Sequence, residues 1–176
     1  QIFSILGRVN YTFDNKYILT ATVRRDGVSK FSKNNRYGIF PSIALAWNAG
    51  NEEFIKNLDV FESLKLRAGW GQIGNHGIGA YGTLSNYGVL NNLYGNATGG
   101  TNVPIALRNL ANPDLTWETT EQVNFGLDFS ILKGFVSGNL DVYNKTTKDL
   151  LQNSDIPPSS GFTRILVNKG SITNNG

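Results

Sequence analysis

At 176 residues the chain is long enough to build one domain with a sizeable core, so length by itself leaves a soluble protein open. Composition is more selective. With 20 Gly, 10 Phe and 7 Tyr and no long helix-forming run, it favours an all-β fold with turn-rich connections, and no segment approaches the roughly 20 apolar residues of a membrane helix. The lack of Cys excludes a disulfide framework and a thiolate metal site, and a net charge of +3 is too slight to imply nucleic acid.

The first predicted strand, Ile5 to Phe13, puts Ile5, Gly7, Val9, Tyr11 and Phe13 on one side and Leu6, Arg8, Asn10 and Thr12 on the other. Asp14-Asn15-Lys16 reads as a tight turn. Tyr17 to Arg25 returns with Tyr17, Leu19, Ala21 and Val23 opposite Thr20, Thr22 and Arg24, and a polar loop follows to Asn34. From Asn35 to Trp47 the alternation resumes with Tyr37, Ile39, Pro41, Ile43, Leu45 and Trp47 on one face; Pro41 cannot donate to a ladder, so a local irregularity is expected there. Between Ala49 and Glu62, Phe54, Ile55, Leu58 and Phe61 recur at spacings of three and four, which suggests a short helical turn.

Leu64, Leu66, Ala68 and Trp70 then oppose Lys65, Arg67, Gly69 and Gly71. Gly74 to about Leu115 is Gly/Asn/Tyr-rich, weakly periodic and too long for an ordinary connection. The strand Trp117 to Ile131 holds the clearest alternation, from Thr120 to Ile131, where Val123, Phe125, Leu127, Phe129 and Ile131 face away from Gln122, Asn124, Gly126, Asp128 and Ser130. A turn at Leu132-Lys133-Gly134 leads to a partner strand, Phe135 to Leu150, and the remainder from Leu151 reads as loop. Gln1 begins directly in a strand pattern with no signal peptide, and Asn174-Asn175-Gly176 reads as a turn without a closing strand. The expectation is a piece of a larger protein.

One parity is greasy and the other polar or small. This fits a transmembrane barrel wall with lipid outside and water or a plug inside, with tight turns at one end and longer loops at the other, except that the Ala49 to Glu62 connection is too long for that rule and reads as a helical periplasmic turn. On that reading Thr20, Thr22, Arg24, Lys65, Arg67, Gln122, Asn124, Asp128, Asn139 and Asp141 face the lumen, while Leu19, Val23, Leu66, Val123, Phe125, Leu127, Leu140 and Val142 face lipid. The same alternation also fits a soluble, secreted carbohydrate-binding β-sandwich with the apolar parity turned inward.

Chemical motifs are weak. Gly69-Trp70-Gly71-Gln72-Ile73-Gly74 spells a dinucleotide-binding fingerprint, but no helix pattern follows it. His76 is the only histidine and reads as a solvated loop residue; Glu52-Glu53 and Asp114/Glu118 read as surface charges. No nucleophile, base and orienting group converge, so no catalytic residue, cofactor or metal is assigned and an enzyme is not expected. Arg24, Arg25, Lys30, Lys33 and Arg36 gather in a basic loop that reads as a solvated surface or, more sharply, as a contact for anionic phosphates of outer-leaflet lipid. Tyr81, Tyr87 and Tyr94 are interleaved with Asn86, Asn91, Asn92 and Asn96, which reads as a loop packed by its own aromatics or as rings and amides suited to a sugar or peptide.

Several blocks taken together resemble the SusC/RagA family of TonB-dependent outer-membrane transporters. They are YILTATVRRDG from Tyr17, SKFSKNNRYGIFPSIALAW from Ser29, LKLRAGWGQIGN from Leu64, NPDLTWETTEQVNFGLDF from Asn112 and DVYNKTTKDLL from Asp141, in that order. The resemblance implies about six antiparallel up-and-down strands of a large, plugged, transmembrane β-barrel of roughly 22 strands in a Gram-negative outer membrane, with residues 1 to 176 as one partial barrel domain. It also implies import of glycan or peptide fragments, energy relayed by TonB through an N-terminal segment, and a SusD-like surface lipoprotein as lid. TonB box, plug and closing strand are not found in this sequence.

Overall fold

The computed structural model describes residues 1–89 and 105–176. In chain order the strands are β1 (Ile2–Phe13), β2 (Tyr17–Val28), β3 (Tyr37–Trp47), β4 (Phe61–Asn75), β5 (Asn86–Val89), β6 (Ile105–Leu110), β7 (Glu118–Ile131), β8 (Val136–Lys148), β9 (Leu151–Asp155), β10 (Arg164–Asn168) and β11 (Ser171–Asn175). Seven of them make one antiparallel sheet in the order β1-β2-β3-β4-β7-β8-β11, and β5-β6-β10-β9 make a small second sheet within the long connections.

The registers carry the period-two pattern across the whole sheet. Phe13, Tyr17, Trp47, Leu66, Leu127 and Leu140 form one continuous row, and Tyr11, Leu19, Leu45, Ala68, Phe125 and Val142 form the next row of the same face. Rows between them belong to the opposite face, such as Arg8, Thr22, Ser42, Gly71, Gln122, Lys145 and Asn174. A one-residue slip at any ladder would exchange the faces, so the alternation itself fixes the register.

All turns joining neighbouring strands fall at two opposite ends. At one end Asp14 and Asn15 both take left-handed backbone, with Lys16 N–H donating to Phe13 O at 3.0 Å, as in a mirror-image hairpin turn. Leu132, Lys133 and Gly134 turn at the same end with positive φ, and the β3–β4 connection there holds a 3₁₀ turn, Ala49–Asn51, and a single-turn helix α1, Glu53–Lys56. The expected helical turn is therefore present. The other end carries the three long connections.

Three expectations need correction. The segment after Leu151 is not loop, because it contributes β9, β10 and β11; Ser171–Asn175 is composed like a turn but is held as a strand by pairing with Asn144 to Lys148. With β11 the sheet has seven strands, in keeping with the about six expected. The stretch from Gly74 is not wholly irregular either, since β4 runs on to Asn75 and β5 and β6 lie within it. Pro41 makes no bulge toward β2, where Val23 pairs with it in register; instead the β3–β4 ladder stops at Ser42 and Gly71, so the missing N–H lies just past its end.

Among the described residues no layer covers the apolar face. Phe125 is 60%, Ile39 63% and Val142 64% exposed. A soluble sandwich would bury these side chains, and that reading is not supported. The buried core lies instead at the long-loop end, where Val28, Phe31, Phe40, Ile78, Leu115 and Trp117 pack together.

Candidate functional site

The polar face brings together side chains that are far apart in sequence. Arg67 donates to both oxygens of Asp128, at 2.9 Å from Nε and 2.8 Å from Nη2, and its Nη2 also lies 3.1 Å from Asp141 Oδ1. This cluster spans β4, β7 and β8 and lies over Gly126, where an added Cβ would come within 2.5 Å of Asp141 and 2.7 Å of the guanidinium. A glycine at that point leaves the carboxylate and guanidinium the room they occupy. Elsewhere on this face Arg8 Nε donates to Thr22 Oγ1 at 3.2 Å and Thr20 Oγ1 to Asn10 Oδ1 at 2.9 Å.

Of the residues singled out in the sequence, Arg24, Lys65, Arg67, Gln122, Asn124, Asp128 and Asp141 all share this face by register. Arg24 is committed to the buried Asp26, donating from Nε to both carboxylate oxygens at 2.8 and 2.6 Å. An open trough of about 500 Å³ runs over Thr20, Ser42, Ala44, Gly69, Gly71, Gln122, Asn124 and Lys145. Arg8, Asn10, Tyr143, Lys145 and Asn174 belong to the same face and were not singled out; their parity was the available signal.

The long connections form one cross-braced assembly. Lys30 Nζ donates to Ile78 O at 2.7 Å, Thr83 Oγ1 to Lys30 O at 3.2 Å, and Asn35 Nδ2 to Leu115 O at 3.2 Å; Ser32 Oγ donates to Pro113 O. Asn168 donates to Thr116 O and Asp149 O at 3.0 and 2.9 Å and accepts from Thr116 N–H at 2.9 Å. Trp117 stands at the centre, with Phe31 and Phe40 rings each 5.4 Å away and His76 edge-on at 5.6 Å. His76 is therefore half-buried packing and not a solvated loop histidine. The glycine fingerprint lies inside β4 with no helix after it, and a Cβ at Gly74 would overlap the Phe40 ring at 2.0 Å.

Within the basic loop Arg24 and Lys30 are bonded internally as described. Tyr81 projects from a turn with φ of 60° and is 70% exposed. Asn86 and Tyr87 open β5. Asn91 and Tyr94 lie outside the described residues.

At the turn end Glu52 is not a free surface charge. It accepts from Tyr17 Oη at 2.8 Å and from Trp47 Nε1 at 3.3 Å, and lies 3.1 Å from Lys16 Nζ. These donors, the Tyr17 hydroxyl first and Lys16 next, hold its carboxyl below the usual carboxylate range, and Glu52 and Asp14 in turn raise Lys16. Glu118, at the other end, accepts from Asn75 Nδ2 at 3.1 Å and from Leu151 N–H at 3.2 Å.

Comparison with known proteins agrees with this architecture. The sequence matches a family profile described as "TonB dependent receptor-like, beta-barrel" over residues 1–176. The chain belongs to the TonB-dependent receptor β-barrel family. Members are outer-membrane proteins of Gram-negative bacteria, and that is where this barrel segment resides. It is 42% identical to TonB-dependent receptor P26 of Formosa agariphila over 176 residues, covering 100% of this chain and 18% of that receptor. It is likewise 42% identical to TonB-dependent receptor SusC of Bacteroides thetaiotaomicron over 178 residues, covering 99% and 18%. Among solved structures, that of the RagAB peptide transporter superposes with a TM-score of 0.83 at 32% identity, over 99% of this chain and 18% of that one. The siderophore receptor PirA of Pseudomonas aeruginosa, at 16% identity and a TM-score of 0.63, shares the fold. The chain spans less than a fifth of the length of the curated receptors it matches. These relatives are receptors and transporters.

Proposed function

We propose that this segment forms part of the wall and outer mouth of a nutrient importer, with its apolar face in lipid and its polar face toward the lumen. The observation that carries the reading is the offset of the apolar band between β1 and β8. On β1 the band runs from Phe3 to Phe13 and centres on Arg8; on β8 it runs from Val136 to Val142 and centres on Asn139. Because Leu140 is level with Phe13, Asn139 is level with Asp14, six residues nearer the turns than Arg8. Six residues at ~3.3 Å each is about 20 Å along the strand, and five strand spacings of ~4.8 Å are about 24 Å across it. A flat apolar slab cut by parallel strands gives that offset at a tilt of about 40°, inside the range of roughly 35–45° for membrane barrels. On β3 the band is bounded by Tyr37 and Trp47, ~33 Å apart along the strand, or about 25 Å after tilt, the height of a barrel's apolar belt.

Seven strands with open edges leave unpaired backbone groups, each costing several kcal/mol in lipid, so the neighbouring wall strands of the parent barrel complete the ladders. The lumen then receives Arg24, Lys65, Arg67, Gln122, Asn124, Asp128 and Asp141. These solvate the plug or the cargo path, and no covalent step is needed. The cargo is a glycan or peptide fragment, met at the outer mouth by Tyr81, Tyr87, Tyr94, Asn86 and Asn91, whose rings stack and whose amides donate and accept. Transport is driven through TonB by a region other than this wall, and a SusD-like lipoprotein closes the mouth.

The orientation is tested in the full-length receptor. Phe125→Arg is expected to lower barrel stability by about 2–4 kcal/mol, as for a cation near the bilayer midplane, while Asn124→Arg is mild. Urea titration in vesicles reads both, and equal losses would defeat the assignment of faces. For the mouth, cargo affinity is measured after Tyr81→Ala combined with Tyr87→Ala; unchanged affinity removes their binding role.

A further inference from the structure

Three charged residues share the apolar parity at the long-loop end: Glu121, Lys148 and Arg25. Glu121 accepts from Trp70 Nε1 at 2.8 Å and lies 4.0 Å from Lys148, so those two neutralise each other. Arg25 differs. Its cross-strand neighbours are Ile5 and Ile39, both exposed, and among the described residues no carboxylate pairs with it. The adjacent Asp26 lies on the opposite parity and is taken by Arg24.

Arg25 is nevertheless held in place. Its guanidinium carbon lies 4.6 Å from the centroid of the Tyr37 ring. That ring rests on β2 over Gly27, where an added Cβ would come within 2.6 Å of it, so the glycine gives the ring its seat and the ring supports the cation. A guanidinium stacked on an aromatic face keeps its N–H groups in plane and directed outward, ready for a planar or tetrahedral oxyanion.

Resting on the lipid-facing reading above, we infer that Arg25 and Tyr37 form a binding site for a phosphate of an outer-leaflet glycolipid. The charge is complementary and the height is right, because Tyr37 marks the loop-side boundary of the apolar belt on β3. A cation flanked by two isoleucines is costly within hydrocarbon and favourable where anionic headgroups begin. A lipid also satisfies both halves of the site at once, with acyl chains on Ile5 and Ile39 and phosphate on Arg25.

The test uses the full-length receptor in detergent, with lipid A carrying its phosphates and the same lipid A dephosphorylated as probes, read by native mass spectrometry. The unaltered receptor is expected to prefer the phosphorylated form by about tenfold, as one charge-assisted bidentate contact gives. Arg25→Gln is expected to abolish the preference and Arg25→Lys to retain part of it, with cargo binding unchanged. A preference that survives Arg25→Gln overturns the site, and so does full displacement of the lipid by millimolar inorganic phosphate. A probe on Phe125→Cys separates the two levels of the argument: quenching by brominated acyl chains upholds the orientation whatever happens at Arg25, and no quenching fails the orientation itself.

Discussion

At the turn end of the sheet two connections are tight turns, and the longer third one, between β3 and β4, is pinned by side-chain charge, its Glu52 gathering Tyr17, Trp47 and Lys16. At the loop end three long connections bury their own aromatic core and are tied to each other through backbone carbonyls. The same strands therefore finish in two different chemistries. A turn of a few residues cannot enclose apolar volume, so only polar contacts are open to it. A long loop exposes many backbone groups and needs a core and internal bonds to become ordered at all. The loop end should consequently behave as a packed unit whose integrity is separable from that of the wall.

The sharpest way to break this contrast is at Trp117, which is 7% exposed and touches Phe31, Phe40 and His76. Trp117→Ala in the full-length receptor is expected to remove about 3–5 kcal/mol of loop-assembly stability, the usual cost of deleting so large a buried ring. Hydrogen exchange should rise in the long connections and stay slow in the middle of β2, β4 and β7. Exchange that rises equally along the strands would show that core and wall are one cooperative unit.

A smaller effect is expected at Asn168. Its amide joins Thr116 to Asp149 by three hydrogen bonds, linking the connection before β7 to the one after β8. Asn168→Ala leaves those partners to water or to nothing, a loss of about 1–3 kcal/mol. It should free the Thr116 amide before others, and protection of that amide in the variant would dismiss the bridge.

The wall was legible in the sequence because its logic is local: alternation from Val123 to Ile131 names both faces without knowledge of any partner. Turns were legible for the same reason, since Asp14 and Asn15 tolerate left-handed backbone. The loop core was not, because Phe31, Phe40, Ile78, Leu115 and Trp117 come from four separate stretches and share no period. Ser171–Asn175 was hidden for a related reason, as its strand state is imposed by β8 and not by its own residues. The Arg67–Asp128–Asp141 cluster lay between these cases: each residue was placed on the right parity, but only the registers show that one guanidinium serves both carboxylates.

The slightest effect is expected at the turn end, through pH. Glu52 has its folded carboxyl held below the ordinary value of about 4.5 by donation from Tyr17 and Lys16, so the unfolded turn binds a proton more readily than the folded one. Its contribution is complete above the ordinary value and declines as pH falls through the depressed one. Lys16 is raised above 10.5 by Glu52 and Asp14, so its contribution is complete below that value and declines only in stronger alkali. Across neutral pH both are present and the turn should be insensitive. In acid the Asn48 amide, which donates to Lys16 O at 2.7 Å, should lose protection while the Trp117 region does not. Glu52→Gln should flatten that acid dependence, because a neutral amide has no proton to gain, and added salt should weaken it in the unaltered receptor by screening an ion pair near water. An acid dependence that persists undiminished in Glu52→Gln would move the pinning charge elsewhere and dissolve the contrast between the two ends.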